Sequence, residues 1–168
     1  NASADPQGIE NDGCNGSGCD LAFNSIPFTT PVVANFTLVG TGPGVVPAAG
    51  GYGAVLRRGT AGHYVNGILA RWQTAGIGYR DADTKARETA GLLSIKNTLI
   101  AETPLALQAG QQTYDLPTNA VTFDQATTAA SMFTLLPAVP TTAATNGASF
   151  DWSLTAAAAA RTGGPGVP

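Results

Sequence analysis

The chain has 168 residues, 43% hydrophobic and only 11% charged. That apolar share supports a packed core and excludes a wholly disordered chain, while the charged share falls well below the roughly 25% of an ordinary soluble domain. A net charge of −3 with eight Lys and Arg excludes an electrostatic nucleic-acid binder, and no apolar run reaches the ~18 residues of a membrane span.

The first residue is Asn1 rather than Met, and Ala2-Ser3-Ala4 has the small-x-small form of a signal-cleavage site, which fits export. Gly8 then opens the segment Gly8-Ile9-Glu10-Asn11-Asp12, which aligns with the second strand of a repeating unit and leaves the first strand of that unit unmatched. The only cysteines, Cys14 and Cys19, lie in Cys-Asn-Gly-Ser-Gly-Cys, where the two glycines let the backbone fold back. A local disulfide is expected, consistent with an oxidising, extracytoplasmic compartment. The loop from Glu10 to Asp20 is rich in oxygen ligands but lacks EF-hand spacing, so a disulfide-pinned surface loop is preferred over calcium. No cofactor or metal is expected.

The strongest signal is a repeat. Asn35, Asn66 and Asn97 recur every 31 residues within VANFTLVG, YVNGILAR and IKNTLIAE, each with an apolar residue two before the Asn and another three after it. A second alignment starts at glycines: Gly8 opens GIEND, Gly53 opens GAVLRR and Gly76 opens GIGYRD, with a looser relative, PLAL, from Pro104. Each unit thus offers two short β-rich strands, too short and too rich in Val, Ile, Leu, Phe and Tyr for amphipathic helices. A period of this size lies in the solenoid range, where each unit buries its apolar face only by stacking on the next. Stacking like positions makes parallel sheets and sets Asn35, Asn66 and Asn97 in a buried ladder, the amides bonding their neighbours and the backbone taking the left-handed bend that Asn tolerates.

The same alignment predicts a charge ladder in which Asp12 opposes Arg57 and Arg58 opposes Asp81. Cross-strand pairing at a solvated edge is the preferred reading of this ladder, with a binding groove as the alternative. Asp81 and Asp83, spaced i and i+2, are the carboxylates that glycosidic chemistry would use, but Ala82 and Thr84 between and after them suggest a polar turn. His63 has no Ser or Cys nucleophile motif beside it and is read as a rung or turn residue. Tyr52, Tyr64, Trp72, Tyr79 and Trp152 are aromatics that can stack sugars or fill the core.

Residues 1–110 are therefore read as parallel β-helix rungs and 111–168 as a capping tail or linker. In the second region alanine and threonine dominate, and only Asp115, Asp124, Asp151 and Arg161 are charged. Asp124 is placed to cap a helix over Ala126–Leu136 that Pro137 and Pro140 would end, and Ala156–Ala160 to form one more helical turn. A solenoid needs its ends covered, so the tail is expected over the last rung or along one side.

The segment from Gly8 to about Leu107, with Thr30-Pro31-Val32-Val33-Ala34-Asn35-Phe36-Thr37-Leu38-Val39-Gly40 and Leu56-Arg57-Arg58-Gly59-Thr60-Ala61-Gly62, resembles secreted bacterial right-handed parallel β-helix (pectate-lyase-like solenoid) proteins of uncharacterised function. The resemblance implies an all-β right-handed parallel β-helix, secreted from a bacterium or held at its surface or in its periplasm. It implies no activity, because the catalytic patterns of pectate lyases and polygalacturonases are absent: His63 sits in Gly-His-Tyr rather than Gly-His-Gly.

The function expected is a non-catalytic structural or interaction protein, a surface module or assembly subunit whose open ends meet other subunits or itself. A carbohydrate-binding module using Arg57, Arg58, Arg80, Asp81, Trp72 and Tyr79 on a polysaccharide is the second reading. A polysaccharide lyase or hydrolase using Asp81, Asp83 or Arg58 is the third.

Overall fold

Two parallel sheets receive strands from the chain in alternation, and the side chains between them form the core. The computed structural model describes residues 7–14, 23, 28–42, 51–136 and 150–161. The elements run β1 (Gln7–Asp12), β2 (Val32–Ala34), β3 (Thr37–Val39), β4 (Tyr52–Arg57), β5 (Gly62–Ala70), β6 (Ala75–Tyr79), α1 (Ala82–Thr89), β7 (Leu93–Ala101), β8 (Val121–Asp124), α2 (Ala129–Met132), β9 (Phe133–Leu135) and β10 (Asp151–Leu154). One parallel sheet has the order β1-β4-β6, and Leu107 extends it through a bridge to Ile77. The other has the order β2-β5-β7-β8, with β3 also on β5. Along the chain the strands thus join the two sheets in turn, with β2 and β3 both entering the second sheet between β1 and β4.

The glycine-led segments align as their sequences suggest: Ile9 pairs with Ala54 and Ala54 with Ile77. Gly53 shows why the first position is glycine. A Cβ there would lie 2.6 Å from the Gly76 carbonyl oxygen and 3.1 Å from Leu69 of the facing sheet, so the sheets approach closely only without it. Leu56 and Ile77 from one sheet meet Tyr64, Leu69, Ile95 and Ile100 from the other. Leu56, Leu69, Ile77 and Ile100 are at most 1% exposed, and each contributes about 1.5–3 kcal/mol through its burial.

The parallel array continues past residue 110, since β8 pairs with β7 and Tyr114 and Val121 sit in the core. Beyond it, the expected helix over Ala126–Leu136 is only α2, Ala129–Met132. Asp124 spends its side chain on the N–H groups of Ala126 and Thr127, making a turn, and Thr128 caps the helix instead. Phe133 then turns extended and enters an antiparallel pair of β9 with β10. Ala156–Ala160 carries only the start of a short 3-10 turn, Ala159–Arg161. Ala129, Met132, Phe133 and Ala158 pack on Ile68, Ala70, Leu99 and Ala101. The C-terminal segment therefore lies along the outer side of the second sheet.

Candidate functional site

The bends between strands hold the residues that the sequence singles out. At one corner Asn35, Asn66 and Asn97 have φ of 55°, 57° and 50°, and Ala120, in register after Asn97, has 52°. Asn tolerates this left-handed region because its short polar side chain bonds locally. Asn66 Nδ2 donates to Asn35 Oδ1 at 3.2 Å, while Asn66 Oδ1 is buried and has no hydrogen-bond partner among the described residues. The column is not buried throughout: Asn35 is exposed and Asn66 and Asn97 are half-buried.

A second corner follows β4 and β6, where Arg58 (φ 56°) and Asp81 (φ 61°) are left-handed. Here the charged residues gather. Arg57 Nε donates to Asp12 at 2.6 Å and its Nη2 reaches Glu10, while Arg58 Nη1 donates to the same Asp12 at 2.7 Å. Arg58 meets Asp81 through its backbone: its N–H donates to Asp81 Oδ2 at 2.5 Å. Asp81 Oδ1 accepts from the Thr84 N–H at 2.8 Å and so caps α1. The polar turn expected around Asp81 and Asp83 is thus the first turn of a helix, with Asp83 beside the positive end of its dipole. Arg80 lies over the Tyr52 ring at 5.1 Å, with its Nε donating to Gln108 Oε1 at 2.8 Å.

The proposed aromatic platform is mostly interior. Trp72, in the bend after β5, is 8% exposed and Tyr79, at the end of β6, 1%; both pack into the core between the sheets, and neither offers a face to a sugar. Trp72 Nε1 donates to the Leu38 carbonyl, and Tyr79 Oη donates to Glu88 Oε2 at 2.6 Å. Tyr52 and Tyr64 are buried too, and Asn11 donates to the Tyr64 hydroxyl. Trp152 is 48% exposed and meets Phe133 and Phe150 edge-to-face. Burial and the Glu88 carboxylate push the Tyr79 hydroxyl far up, and burial raises Tyr114 to about 12 and also raises Tyr64. His63 Nδ1 lies 2.9 Å from Ser94 Oγ, a contact between strands that the sequence hides because the two residues sit on different repeats.

Cys19 lies outside the described residues, as does most of the Cys14–Asp20 loop, so the expected Cys14–Cys19 bridge is not placed. Among the described residues no cluster of His, Cys, Asp and Glu could hold a metal ion, and no helix is long and apolar enough to cross a membrane.

A family model described as pectate-lyase like beta helix domain matches residues 1–153. The chain belongs to this family. The match runs through both parallel sheets and reaches β10, so the family covers the antiparallel pair as well as the strands that the sequence repeat reveals. No curated protein and no solved structure matches the chain.

Proposed function

We propose that this beta helix domain is a non-catalytic extracytoplasmic structural or interaction protein, a surface module or a subunit of a larger assembly. Its two parallel sheets read as a short right-handed solenoid of three to four coils, and the C-terminal segment as a cover along one side. The observation that carries the non-catalytic reading is the commitment of Asp81: both oxygens accept backbone N–H groups, from Arg58 and Thr84. A carboxylate held so serves the corner, and Asp12 is likewise held by two guanidinium groups. Among the described residues, β1 and β2 with β3 form the outer edges of the two sheets. Edge backbone groups suit strand addition by another chain.

The Cys14–Cys19 disulfide and export belong to the same reading, and no cysteine among the described residues is free. Intact mass before and after reduction tests the disulfide, with the native chain two hydrogens lighter. Incubation with soluble polysaccharides tests the absence of catalysis. The reading predicts no depolymerisation by the wild-type chain; chain cleavage that is lost in Asp81→Asn or Asp83→Asn would establish the lyase or hydrolase reading instead. Of the five aromatics Tyr52, Tyr64, Trp72, Tyr79 and Trp152, the carbohydrate-binding reading retains only Trp152 as exposed.

A further inference from the structure

The geometry points to an oxyanion-binding subsite at Arg80 and Gln108 on the first sheet. Among the described residues, Arg57 and Arg58 pair with Glu10 and Asp12, and Arg71 with Glu102. Arg87 donates to the carbonyls of Gly59 and Phe23. Arg80 is held by a neutral amide oxygen and an aromatic ring. It is half-buried, with no ion pair among the described residues.

Those two contacts fix the guanidinium without using its outer fork. The Tyr52 face holds its plane and Gln108 Oε1 takes the Nε proton. Because guanidinium only donates, the bond also sets the amide: Gln108 must present oxygen to Arg80, so its NH2 group is left to donate elsewhere. Gly78 keeps the floor open, since a Cβ there would stand 3.1 Å from Gln108 Oε1 and within 3.5 Å of Tyr52. That leaves two guanidinium nitrogens with no bond to another described residue and, beside the bonded Gln108 oxygen, one amide nitrogen as donors. A planar carboxylate matches the fork in bidentate fashion, and a tetrahedral oxyanion matches it less closely. The subsite does not depend on the assembly reading and stands whether the chain acts alone or in a complex.

The test is a titration of the 15N-labelled full chain with sodium acetate, inorganic phosphate and sodium chloride at constant ionic strength, following the Arg side-chain Nε–H signals. One guanidinium fork with one amide predicts a dissociation constant on the order of tens of millimolar. The Arg80 signal should shift and saturate with acetate, and the shift should weaken at least about threefold in Gln108→Leu, roughly 0.6 kcal/mol of binding. In Arg80→Lys, which keeps the charge and loses the fork, the Gln108 side-chain amide signals, followed in place of the absent Nε–H, should not saturate with acetate while the backbone spectrum stays native. Saturation by acetate over phosphate identifies a carboxylate site, and the reverse a tetrahedral-anion site; both support the subsite. Equal, unsaturated drift of all arginines, or an unchanged Arg80 response in Gln108→Leu, would overturn it.

Discussion

Asn66 donates its side-chain amide to the Asn35 carbonyl oxygen across the strand pair, 31 residues apart in sequence, with both backbones left-handed. This one contact joins the sequence repeat to the fold: the residue type supplies the bend and the amide ties one parallel strand to the next. Replacing Asn66 with Ala removes the bond and the short polar side chain that lets Asn tolerate φ 57°, so we expect a loss of about 2 kcal/mol. Urea unfolding followed by circular dichroism measures it. A midpoint equal to wild type would mean the ladder contributes nothing.

The fourth position of the column is Ala120, exposed and at φ 52°. Ala120→Asn relieves a non-ideal residue and places an amide beside Asn97. We expect a gain of about 0.5–1 kcal/mol, a rise of a few degrees in Tm for a chain of this size. Ala120→Val should lower Tm by a similar or larger amount, and scanning calorimetry on both distinguishes corner strain from a general surface effect.

These corners show what the sequence makes legible. Three asparagines with matched neighbours reveal the register of the second sheet, because the bend requires a residue type that stands out in sequence. The glycine-led strands are visible for the same reason, since close sheet approach excludes a side chain. Arg58 and Asp81 are 23 residues apart rather than 31, and the chain then inserts α1 after Asp81. Its cap pattern, Asp81 followed by Thr84 with Arg87 in the last turn, is the local signal that identifies the helix. Phe133 and Leu136 follow Met132 at spacings that suit a helix, yet β9 forms because its partner, β10, lies far along the chain. Whether Trp72, in the bend after β5, and Tyr79, at the end of β6, face in or out depends on how the chain turns between the two sheets, which local sequence does not set.

Gly67 faces Phe36 in the same column as the inward side chains, and a β-carbon there would overlap the Phe36 ring. Gly67→Ala should therefore cost about 1–3 kcal/mol through overpacking, and Gly67→Ala with Phe36→Ala should recover part of it. Denaturant midpoints of the single and double variants test this, and strict additivity would contradict the contact.

Glu102 ties the C-terminal segment to the sheets. Its Oε2 accepts from Arg71 Nε at 3.3 Å and from the Ala129 N–H at 2.7 Å, the start of α2. Arg71 is only 7% exposed at its side chain, so Glu102→Ala leaves a nearly buried cation with less compensation. The expected loss is about 1–3 kcal/mol, and amide hydrogen exchange of residues 129–135 should speed up before the core strands do. Unchanged exchange there would mean that apolar packing alone holds the segment.

Alkali should unfold the chain from within. Tyr114 titrates at about 12 rather than 10.0, and Tyr64 and Tyr79 are also raised, chiefly by burial. Because the folded value exceeds the unfolded one, the neutral hydroxyls stabilise the fold fully below pH 10, and that stability is lost as pH rises through the folded value. Tyrosinate absorbance should therefore rise late and together with loss of the β signal. Titration of Tyr64, Tyr79 and Tyr114 near pH 10 with the β signal intact would refute the burial of these hydroxyls.

The assembly reading concerns the outer edge of the second sheet. His63 donates to the Pro31 carbonyl and Asn35 donates to the Val65 carbonyl, so alternation in a parallel ladder turns the backbone groups of Val32 and Ala34 away from β5. Val32 is 69% exposed. The most direct measurement is light scattering on a sizing column, comparing natively isolated wild-type protein with a Val32→Lys, Ala34→Pro variant. The account predicts a wild-type mass well above the 16.9 kDa of one chain and a fall toward it in the variant. A wild-type chain that elutes as a clean monomer would contradict the account.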